Sequence, residues 1–266
     1  MFIDISYKNI PLKIECNQFD EKLPTLLCLH GIGDSSQAFR EIIYSNKFIN
    51  YNVIAPDFIG FGVNNGALLD CDSIKEQISF IKKVVEMLPN TALNILGHSF
   101  GGNVGTYLCD DIAGRITKFV CIESDITQYD DFMTTQAHKA ELNGDYDAWF
   151  ENFLEVIVAK EWSNESGSRY YRSLKNCNYL IFKNLVLELY NLKHKKNGVN
   201  TSEIGFVYSN LKVTRVFCYG KKSIDCRSVS YLERCDLAVR NFEESGHWAM
   251  LDQKEEFQNF LLELLA

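Results

Sequence analysis

Residues 95–102 read ILGHSFGG, an apolar run that ends in a serine between two glycines. The Gly-x-Ser-x-Gly spacing around Ser99 fits a sharp turn from a strand into a helix, which gives the serine a positive φ angle and exposes its Oγ at the end of a sheet. Side chains two residues away from the serine would collide in that turn, which explains Gly97 and Gly101. The stretch therefore predicts a catalytic nucleophile at Ser99, with an ordinary glycine-rich turn as the alternative.

Short apolar segments alternate with helical patterns on both sides of this turn. Most of these segments are apolar on both faces, as parallel strands covered by helices are. Six of them read as strands: residues 25–31, 52–57, 93–99, 116–123, 214–220 and 237–242. Between two of these, Ser73 and Glu76 form a capping box that opens a helix over residues 73–88. The alternation predicts an α/β fold with a mostly parallel sheet flanked by helices.

Residues 127–211 interrupt the alternation, because they contain helical patterns only. They lie between two predicted strands, so we expect a helical cap inserted into a core formed by residues 1–126 and 212–266. Aromatic side chains of the cap are candidates for the wall of an apolar pocket, although packing within the protein is the stronger interpretation for each of them. They are Trp149, Phe150, Phe153, Trp162, Tyr170, Tyr171, Tyr179 and Phe182.

A serine hydroxyl needs a base within hydrogen-bond reach to act as a nucleophile. Of five histidines, His247 in FEESGHWAMLDQ follows the last predicted strand. Loops after parallel strands meet at one end of a sheet, so His247 is the predicted base for Ser99. The loop LHGIGDSSQAF reaches the same end, and the backbone N–H groups of Ile32 and Phe100 are the predicted oxyanion hole. In that loop, Asp34 is expected to cap the following helix.

Four segments together resemble the α/β-hydrolase family, and within it the capped single-domain group of serine esterases and their relatives. The segments are LLCLHGIGDSSQAF, VIAPDFIGFG, ILGHSFGGNVG and FEESGHWAMLD. The resemblance covers residues 1–126 and 212–266 and leaves the cap unmatched. It implies an eight-stranded, mostly parallel sheet, a triad in the order serine, acid, histidine, and no cofactor. It gives Asp57 a structural role in a turn.

The acid of the triad departs from the family pattern, which usually places an aspartate three residues after the glycine of the penultimate strand. Here Gly220 is followed at that position by Ser223. Asp225 lies two residues later in the same loop, and Glu123 ends another strand, where some capped relatives such as certain haloalkane dehalogenases have a glutamate. A charge directly after an apolar strand is costly unless it is paired, and an imidazolium would pair it. We therefore favour Glu123 over Asp225, with Asp125 or no acid as further alternatives.

Charge and cysteine content limit the expected location and partners. The formal net charge of −8 argues against a nucleic-acid or anionic-membrane surface. The sequence shows no signal-peptide pattern and no uncharged apolar stretch of roughly 18 residues, so no membrane span is expected. Nine cysteines without metal-ligand spacing are interpreted as reduced thiols in a cytoplasmic protein without a metal site.

The sequence thus predicts a serine hydrolase, a carboxylesterase, that cleaves an ester or thioester through an acyl-enzyme on Ser99. A serine excludes the aspartate-nucleophile chemistry of dehalogenases and epoxide hydrolases. The expected partner is a small-molecule substrate, an apolar acyl compound shielded by the cap. An acyltransferase or a carbon–carbon bond hydrolase with the same triad is one alternative. A non-catalytic small-molecule-binding protein on a hydrolase scaffold is another.

Overall fold

The computed structural model describes residues 1–66, 73–131, 133–161, 164–195 and 201–266, without the side chains of residues 158–161. Cys71 and Trp162, interpreted above as a reduced thiol and a cap aromatic, lie outside the described residues. The eight cysteines within the described ranges carry free thiols. None of the helices described is long and apolar enough to cross a membrane.

One sheet runs through the described part of the chain, and it contains eight strands. They are β1 (Phe2–Tyr7), β2 (Ile10–Cys16), β3 (Thr25–Leu29), β4 (Asn52–Pro56), β5 (Leu93–His98), β6 (Ile116–Ile122), β7 (Thr214–Gly220) and β8 (Val239–Phe242). Their spatial order is β1-β2-β4-β3-β5-β6-β7-β8. Strands β3 to β8 run parallel, whereas β2 pairs antiparallel with both β1 and β4. The predicted α/β fold with a mostly parallel, eight-stranded sheet is confirmed.

The six strand segments found in the sequence correspond to β3–β8, and the hairpin β1–β2 adds two strands at one edge. Its two-residue turn consists of Lys8 and Asn9, which have φ angles of 49° and 65°. A turn with two positive φ angles matches the right-handed twist of the paired strands. The hairpin therefore extends the sheet beyond β4 without a glycine in the turn.

Helices cover the sheet and fill the long connection after β6. They are α1 (Arg40–Ile43), α2 (Ile74–Met87), α3 (Phe100–Asp111), α4 (Thr134–Asn143), α5 (Tyr146–Glu161), α6 (Glu165–Lys175), α7 (Tyr179–His194), α8 (Glu203–Asn210), α9 (Cys226–Arg234), α10 (Ala249–Asp252) and α11 (Lys254–Leu265). The predicted start of α2 is confirmed, since the Ser73 hydroxyl accepts the N–H of Glu76 at 3.3 Å. Helix α3 packs against β3, β5 and β6 and so fixes the turn at Ser99.

Helices α4 to α8 all lie between β6 and β7 in the chain, and we call residues 127–211 the helical insertion. Its aromatic rings contact one another: Phe150 lies 5.1 Å from Tyr179 and 5.3 Å from Phe182, and Trp149 stacks on Phe153 at 5.2 Å between ring centroids. Buried apolar side chains of the insertion and the sheet region form one continuous core. Packing thus accounts for most of these aromatic side chains.

Candidate active site

Ser99 occupies the sharp turn between β5 and α3. Its φ and ψ angles are 50° and −117°, in a region that residues with side chains rarely adopt. Its N–H donates to the carbonyl oxygen of Ile122 at 2.7 Å, which ties the turn to β6. A Cβ atom at Gly97 would lie 2.5 Å from the carbonyl oxygen of Gly101, and one at Gly101 would lie 2.0 Å from that of Leu29. The flanking glycines are therefore required by close backbone packing.

His247 lies in the loop between β8 and α10 and lines the same cavity as Ser99. Its Nδ1 is 2.8 Å from Oε2 of Glu123. A carboxylate only accepts hydrogen bonds, so Nδ1 carries the proton and Nε2 is left as the basic nitrogen. The ring of His98 donates its Nε2–H to the backbone carbonyl of His247 at 3.0 Å, which ties the His247 loop to the end of β5. The contact with Glu123 sets the tautomer of the His247 ring, and the contact with His98 holds the backbone of the loop.

Glu123 follows the last residue of β6, and its side chain is only 7% exposed. Its backbone has a φ angle of 42° and donates its N–H to the carbonyl oxygen of Cys218 at 3.0 Å. The second carboxylate oxygen, Oε1, accepts the N–H of Gly220 at 2.7 Å and the hydroxyl of Ser223 at 2.6 Å. The structure therefore brings the favoured acid candidate to His247 with both carboxylate oxygens hydrogen-bonded.

The two alternative acids are engaged with other groups. Asp225 is the N-cap of α9, and its carboxylate accepts the N–H and the guanidinium of Arg227 at 2.7–2.8 Å. The Arg227 hydrogen bonds hold the pKa of Asp225 at about 2. Asp125 accepts a hydrogen bond from the side chain of Asn103 at 2.8 Å and forms an ion pair with the buried Lys193 at 2.9 Å. Both carboxylates thus have cationic or amide partners of their own.

The two candidate oxyanion donors flank Ser99. Phe100 is the first residue of α3, where the helix dipole favours negative charge, and Ile32 lies in the loop after β3. Within the described ranges, neither backbone N–H donates a hydrogen bond. A Cβ atom at Gly31 would lie 3.4 Å from Cβ of Ser99, so the glycine permits the loop to approach the serine. Both N–H groups are therefore available for a developing oxyanion.

Neighbouring polar residues hold the loops of the site. Burial lowers the pKa of His30 to about 4, although its hydrogen bond to the carbonyl of Gly31 acts in the opposite direction. The neutral ring accepts the N–H of Phe58 through Nε2 at 2.9 Å. Burial raises the pKa of Asp57 to about 6, and its carboxylate accepts the N–H of Ser36 at 2.5 Å. His30 and Asp57 thus act within the framework of the fold.

The prediction that Asp34 caps the following helix is wrong, because the N-cap of that short helix is Ser35. Its carboxylate accepts the N–H of the adjacent Ser35 at 2.8 Å and the indole N–H of Trp248 at 3.2 Å. The Trp248 ring in turn lies 5.1 Å from that of His247, at nearly a right angle. The contact between Asp34 and Trp248 spans 214 residues of sequence, which explains why local spacing did not reveal it. Asp34 therefore helps to place the aromatic ring beside the candidate base.

The cavity beside Ser99 has a volume of about 540 Å³. Six carboxylate side chains line it: Glu123, Asp125, Asp130, Asp131, Asp225 and Asp252. Four apolar or aromatic side chains also line it: Tyr129, Phe217, Ile224 and Trp248. On the side of Ile32, a crevice of only about 10 Å³ lies between Met133, Tyr170 and Trp248. The space around the serine is therefore large and acidic on one side and very small on the other.

The carboxylates of the cavity are hydrogen-bonded to other groups of the protein. In the part of the chain that the structure describes, no three His, Cys, Asp or Glu side chains converge to hold a metal ion. Asp252, for example, accepts the hydroxyl of Ser166 at 2.8 Å and the N–H of Gly246 at 2.8 Å. These carboxylates bind protein donors and set the charge of the cavity.

Comparison with known proteins identifies the family. The sequence model described as alpha/beta hydrolase fold matches residues 24–214, which is more than half of the chain. The chain belongs to the α/β-hydrolase fold family. A curated relative, the magnesium-chelatase 30 kDa subunit of Rhodobacter capsulatus, is 33% identical over 88 residues, which cover 33% of this α/β-hydrolase and 31% of that protein. The match therefore spans about a third of the relative's length.

Solved structures of α/β-hydrolases superimpose on the whole chain. A thioesterase domain from the curacin biosynthetic pathway has a TM-score of 0.73 at 15% identity, and covers 99% of both chains. An esterase from Exiguobacterium antarcticum has a TM-score of 0.74 at 19% identity, again over 99% of both chains. At these identities the likeness shows the fold alone, with hydrolases among the proteins that share it.

Proposed function

We propose that this α/β-hydrolase is a serine hydrolase, a carboxylesterase that cleaves a carboxylic ester or thioester through an acyl-enzyme on Ser99. The observation that carries the proposal is the 2.8 Å hydrogen bond between Nδ1 of His247 and Oε2 of Glu123, at the cavity that Ser99 lines. An acid, an oriented histidine and a serine on a strained turn are the parts that nucleophilic catalysis requires. The family and its solved esterases and thioesterases support the reaction class.

The reaction proceeds in two half-reactions. Oγ of Ser99 attacks the carbonyl carbon while Nε2 of His247 takes its proton, and the N–H groups of Ile32 and Phe100 stabilise the oxyanion. His247 then gives the proton to the leaving alcohol or thiol, and the acyl-enzyme remains. Water, deprotonated by the same nitrogen, attacks the acyl carbon, and the carboxylic acid leaves as Ser99 regains its proton. Glu123 holds the Nδ1–H tautomer and stabilises the imidazolium throughout.

We propose further that the helical insertion, residues 127–211, forms the cap over a core of residues 1–126 and 212–266. Helix α6 supports this division, because Tyr170 and Leu174 lie against the oxyanion loop: a Cβ atom at Gly33 would lie 2.6 Å from Cδ1 of Leu174. The hydroxyl of Ser166 on the same helix binds Asp252 of α10. The insertion thereby covers one side of the serine and leaves the acidic cavity as the space for substrate.

The alternatives that share the triad differ in their products. An acyltransferase passes the acyl group to an added alcohol or amine, a carbon–carbon hydrolase cleaves a diketone, and a hydrolase releases free acid. Product analysis by mass spectrometry, on short-chain esters with and without an added alcohol, tests the proposal. Free acid as the main product supports hydrolysis, and an acyl conjugate of the alcohol would assign the site to transfer. A non-catalytic binding protein would release no product, and the contact between Glu123 and His247 favours catalysis over this alternative.

The pH dependence of the reaction follows from His247. Burial lowers the pKa of His247, but the hydrogen bond and charge of Glu123, together with the charges of Asp125 and Asp34, outweigh it, and the net shift is upward from 6.5. The base must be neutral, so kcat/KM falls as the pH drops through this raised pKa. We expect the midpoint of the acid limb of the kcat/KM profile to lie above pH 6.5. In the Glu123→Gln variant this midpoint should move to lower pH. Initial rates across pH 5–9 measure this profile. An acid limb that stays unchanged in the variant would contradict the assignment of Glu123 as the partner of His247.

The charge of the cavity indicates the substrate class. We propose a small, apolar acyl group next to Ser99 and a larger polar group, neutral or cationic, in the cavity that the carboxylates line. The crevice of about 10 Å³ on the other side has room for no more than a water-sized group. The support is the unequal room on the two sides of Ser99 and the lining itself: six carboxylates line the cavity, and among the described lining residues none is lysine or arginine. Arg227 and Lys193 pair with Asp225 and Asp125, so the remaining carboxylates carry the argument. Like charges at close distance cost several kcal/mol where they are desolvated. An anionic substrate is therefore disfavoured.

Three thioacetates of matched size test this preference: acetylthiocholine, its neutral isostere 3,3-dimethylbutyl thioacetate, and S-acetyl-3-mercaptopropionate. We expect the anionic compound to have a kcat/KM at least about tenfold below the neutral one at low ionic strength, and the gap to narrow as salt screens the carboxylates. Thiol release is measured colorimetrically. Asp131→Asn should reduce the discrimination, and Asp111→Asn, a paired surface carboxylate outside the cavity, is the control. Preference for the anionic compound would refute the charge assignment.

A further inference from the structure

Ser223 occupies the position at which the family pattern has an aspartate. Its hydroxyl contacts the carboxylate of Glu123, which follows β6. Its Oγ lies 2.6 Å from Oε1 of Glu123, and the backbone N–H of Gly220 donates to the same oxygen at 2.7 Å. Oγ is also 3.2 Å from the carbonyl oxygen of Gly220. The shorter distance and the charge of the carboxylate favour donation to Glu123. Two donors thus converge on one oxygen and leave Oε2 for His247.

The loop that carries Ser223 is fastened to the loop that carries His247. The N–H of Lys222 donates to the carbonyl oxygen of Ser245 at 3.0 Å. A Cβ atom at Gly220 would lie 2.0 Å from the carbonyl oxygen of Gly246, so the two backbones are in direct contact. Because these contacts involve the backbone, the distance between Ser223 and the candidate base is set by the fold.

Glu123 needs such external support more than a shorter acid would. Its carboxylate is separated from the backbone by three rotatable bonds, and the φ angle of 42° starts the side chain from an unfavourable backbone conformation. The hydrogen bond of Ser223 and that of Gly220 fix the rotation of the carboxylate about its last bond. Without the hydroxyl, Oε1 retains a single donor and the plane of the carboxylate is free to turn away from Nδ1 of His247.

We infer that Ser223 is a positioning residue, which orients Glu123 toward His247 from the place where related enzymes carry the acid itself. The inference rests on the proposed function of the site. Ser223 acts through Glu123 and does not touch the reacting atoms. Its effect is therefore expected on kcat, since the imidazolium forms in the transition state, and not on KM.

Substitutions at position 223 test this role. Ser223→Ala should lower kcat about tenfold and leave KM within about twofold, because one charge-assisted hydrogen bond that orients the acid is lost. Threonine and valine have nearly the same shape, but only threonine carries a hydroxyl. The Ser223→Thr variant should therefore retain most of the activity, whereas Ser223→Val should resemble Ser223→Ala. Ser230→Ala is the matched control and should leave kcat unchanged, since among the described residues that hydroxyl bonds only to the carbonyl of Cys226 within α9.

A double-mutant cycle separates positioning from a general structural effect. In a Glu123→Gln background there is no carboxylate to orient, so Ser223→Ala should change kcat by less than about twofold. Equal losses in both backgrounds, or equal activity of the Thr and Val variants and the native protein, would overturn the inference while the native enzyme still hydrolyses esters. If the native protein hydrolyses no ester or thioester, the proposed function itself fails, and the two failures are thereby distinguished.

Discussion

We expect Glu123→Gln to lower kcat by on the order of a thousandfold or more, with little change in KM and an intact fold. Gln has nearly the same shape, but its neutral amide gives no charge to stabilise the imidazolium of His247, and its NH₂ group can face Nδ1 and impose the wrong tautomer. Steady-state kinetics on a short-chain ester measure the loss, and thermal unfolding of the same preparation confirms that the protein is folded. No other carboxylate substitution is expected to cost as much.

Asp225→Asn is the comparison variant for Glu123→Gln, because Asp225 is the alternative candidate for the acid. Asp225 caps α9 and pairs with Arg227 on the surface, so its substitution should leave turnover of a neutral ester within about tenfold of the native rate. The two carboxylates line the same cavity, and both substitutions remove one negative charge from it. The opposite ranking would mean that the loop after β7 supplies the acid, two residues beyond the usual position.

We expect Ser99→Ala to abolish turnover, with a loss of at least about 10⁴-fold in kcat. The alanine keeps the turn but provides no atom to attack the carbonyl carbon, and what remains is the contribution of the oxyanion donors and of substrate binding. The same change at Ser79, whose hydroxyl binds the carbonyl of Lys75 on the exposed face of α2, should have no effect. Substantial residual hydrolysis in Ser99→Ala would mean that another group, or a bound water, attacks the substrate.

Much of the fold could be predicted because the parallel strands are local apolar runs. Strands β3, β4 and β5 are buried along their whole length, and such runs stand out in the sequence. The hairpin β1–β2 is different: its strands alternate between buried and exposed residues, and its turn of Lys8 and Asn9 has no glycine. Only the partners across the sheet decide that these segments are strands.

In the candidate site, too, some residues are visible in local sequence and others depend on distant contacts. Ser99 and His247 lie in short motifs whose neighbours reveal them, and the glycines around the serine are explained by backbone contacts within a few residues or with the adjacent strand. The acid depends on a contact between residues 124 apart, and the support from Ser223 on one between residues 100 apart. Sequence reasoning could rank Glu123 first from the cost of an unpaired charge, but the hydrogen bonds of its carboxylate belong to the folded chain.

The polarity of the cavity also depends on tertiary packing. Aromatic residues of the helical insertion were candidates for an apolar wall, with packing as the stronger interpretation, and Phe150, Phe182 and their neighbours do contact each other. Carboxylates from the loops after β6 and β7 line the cavity beside the serine. Which of two sets of side chains faces a cavity is set by the packing of the insertion on the core, and local patterns carry no information about it.

The most direct measurement is the intact mass of the purified protein after incubation with a fluorophosphonate, beside a Ser99→Ala control. An activated serine displaces fluoride from the probe and keeps the phosphonyl group, whereas an ordinary hydroxyl does not react. We expect one phosphonyl adduct on the native protein and none on the variant. A folded native protein that acquires no adduct would contradict the assignment of Ser99 as an activated nucleophile.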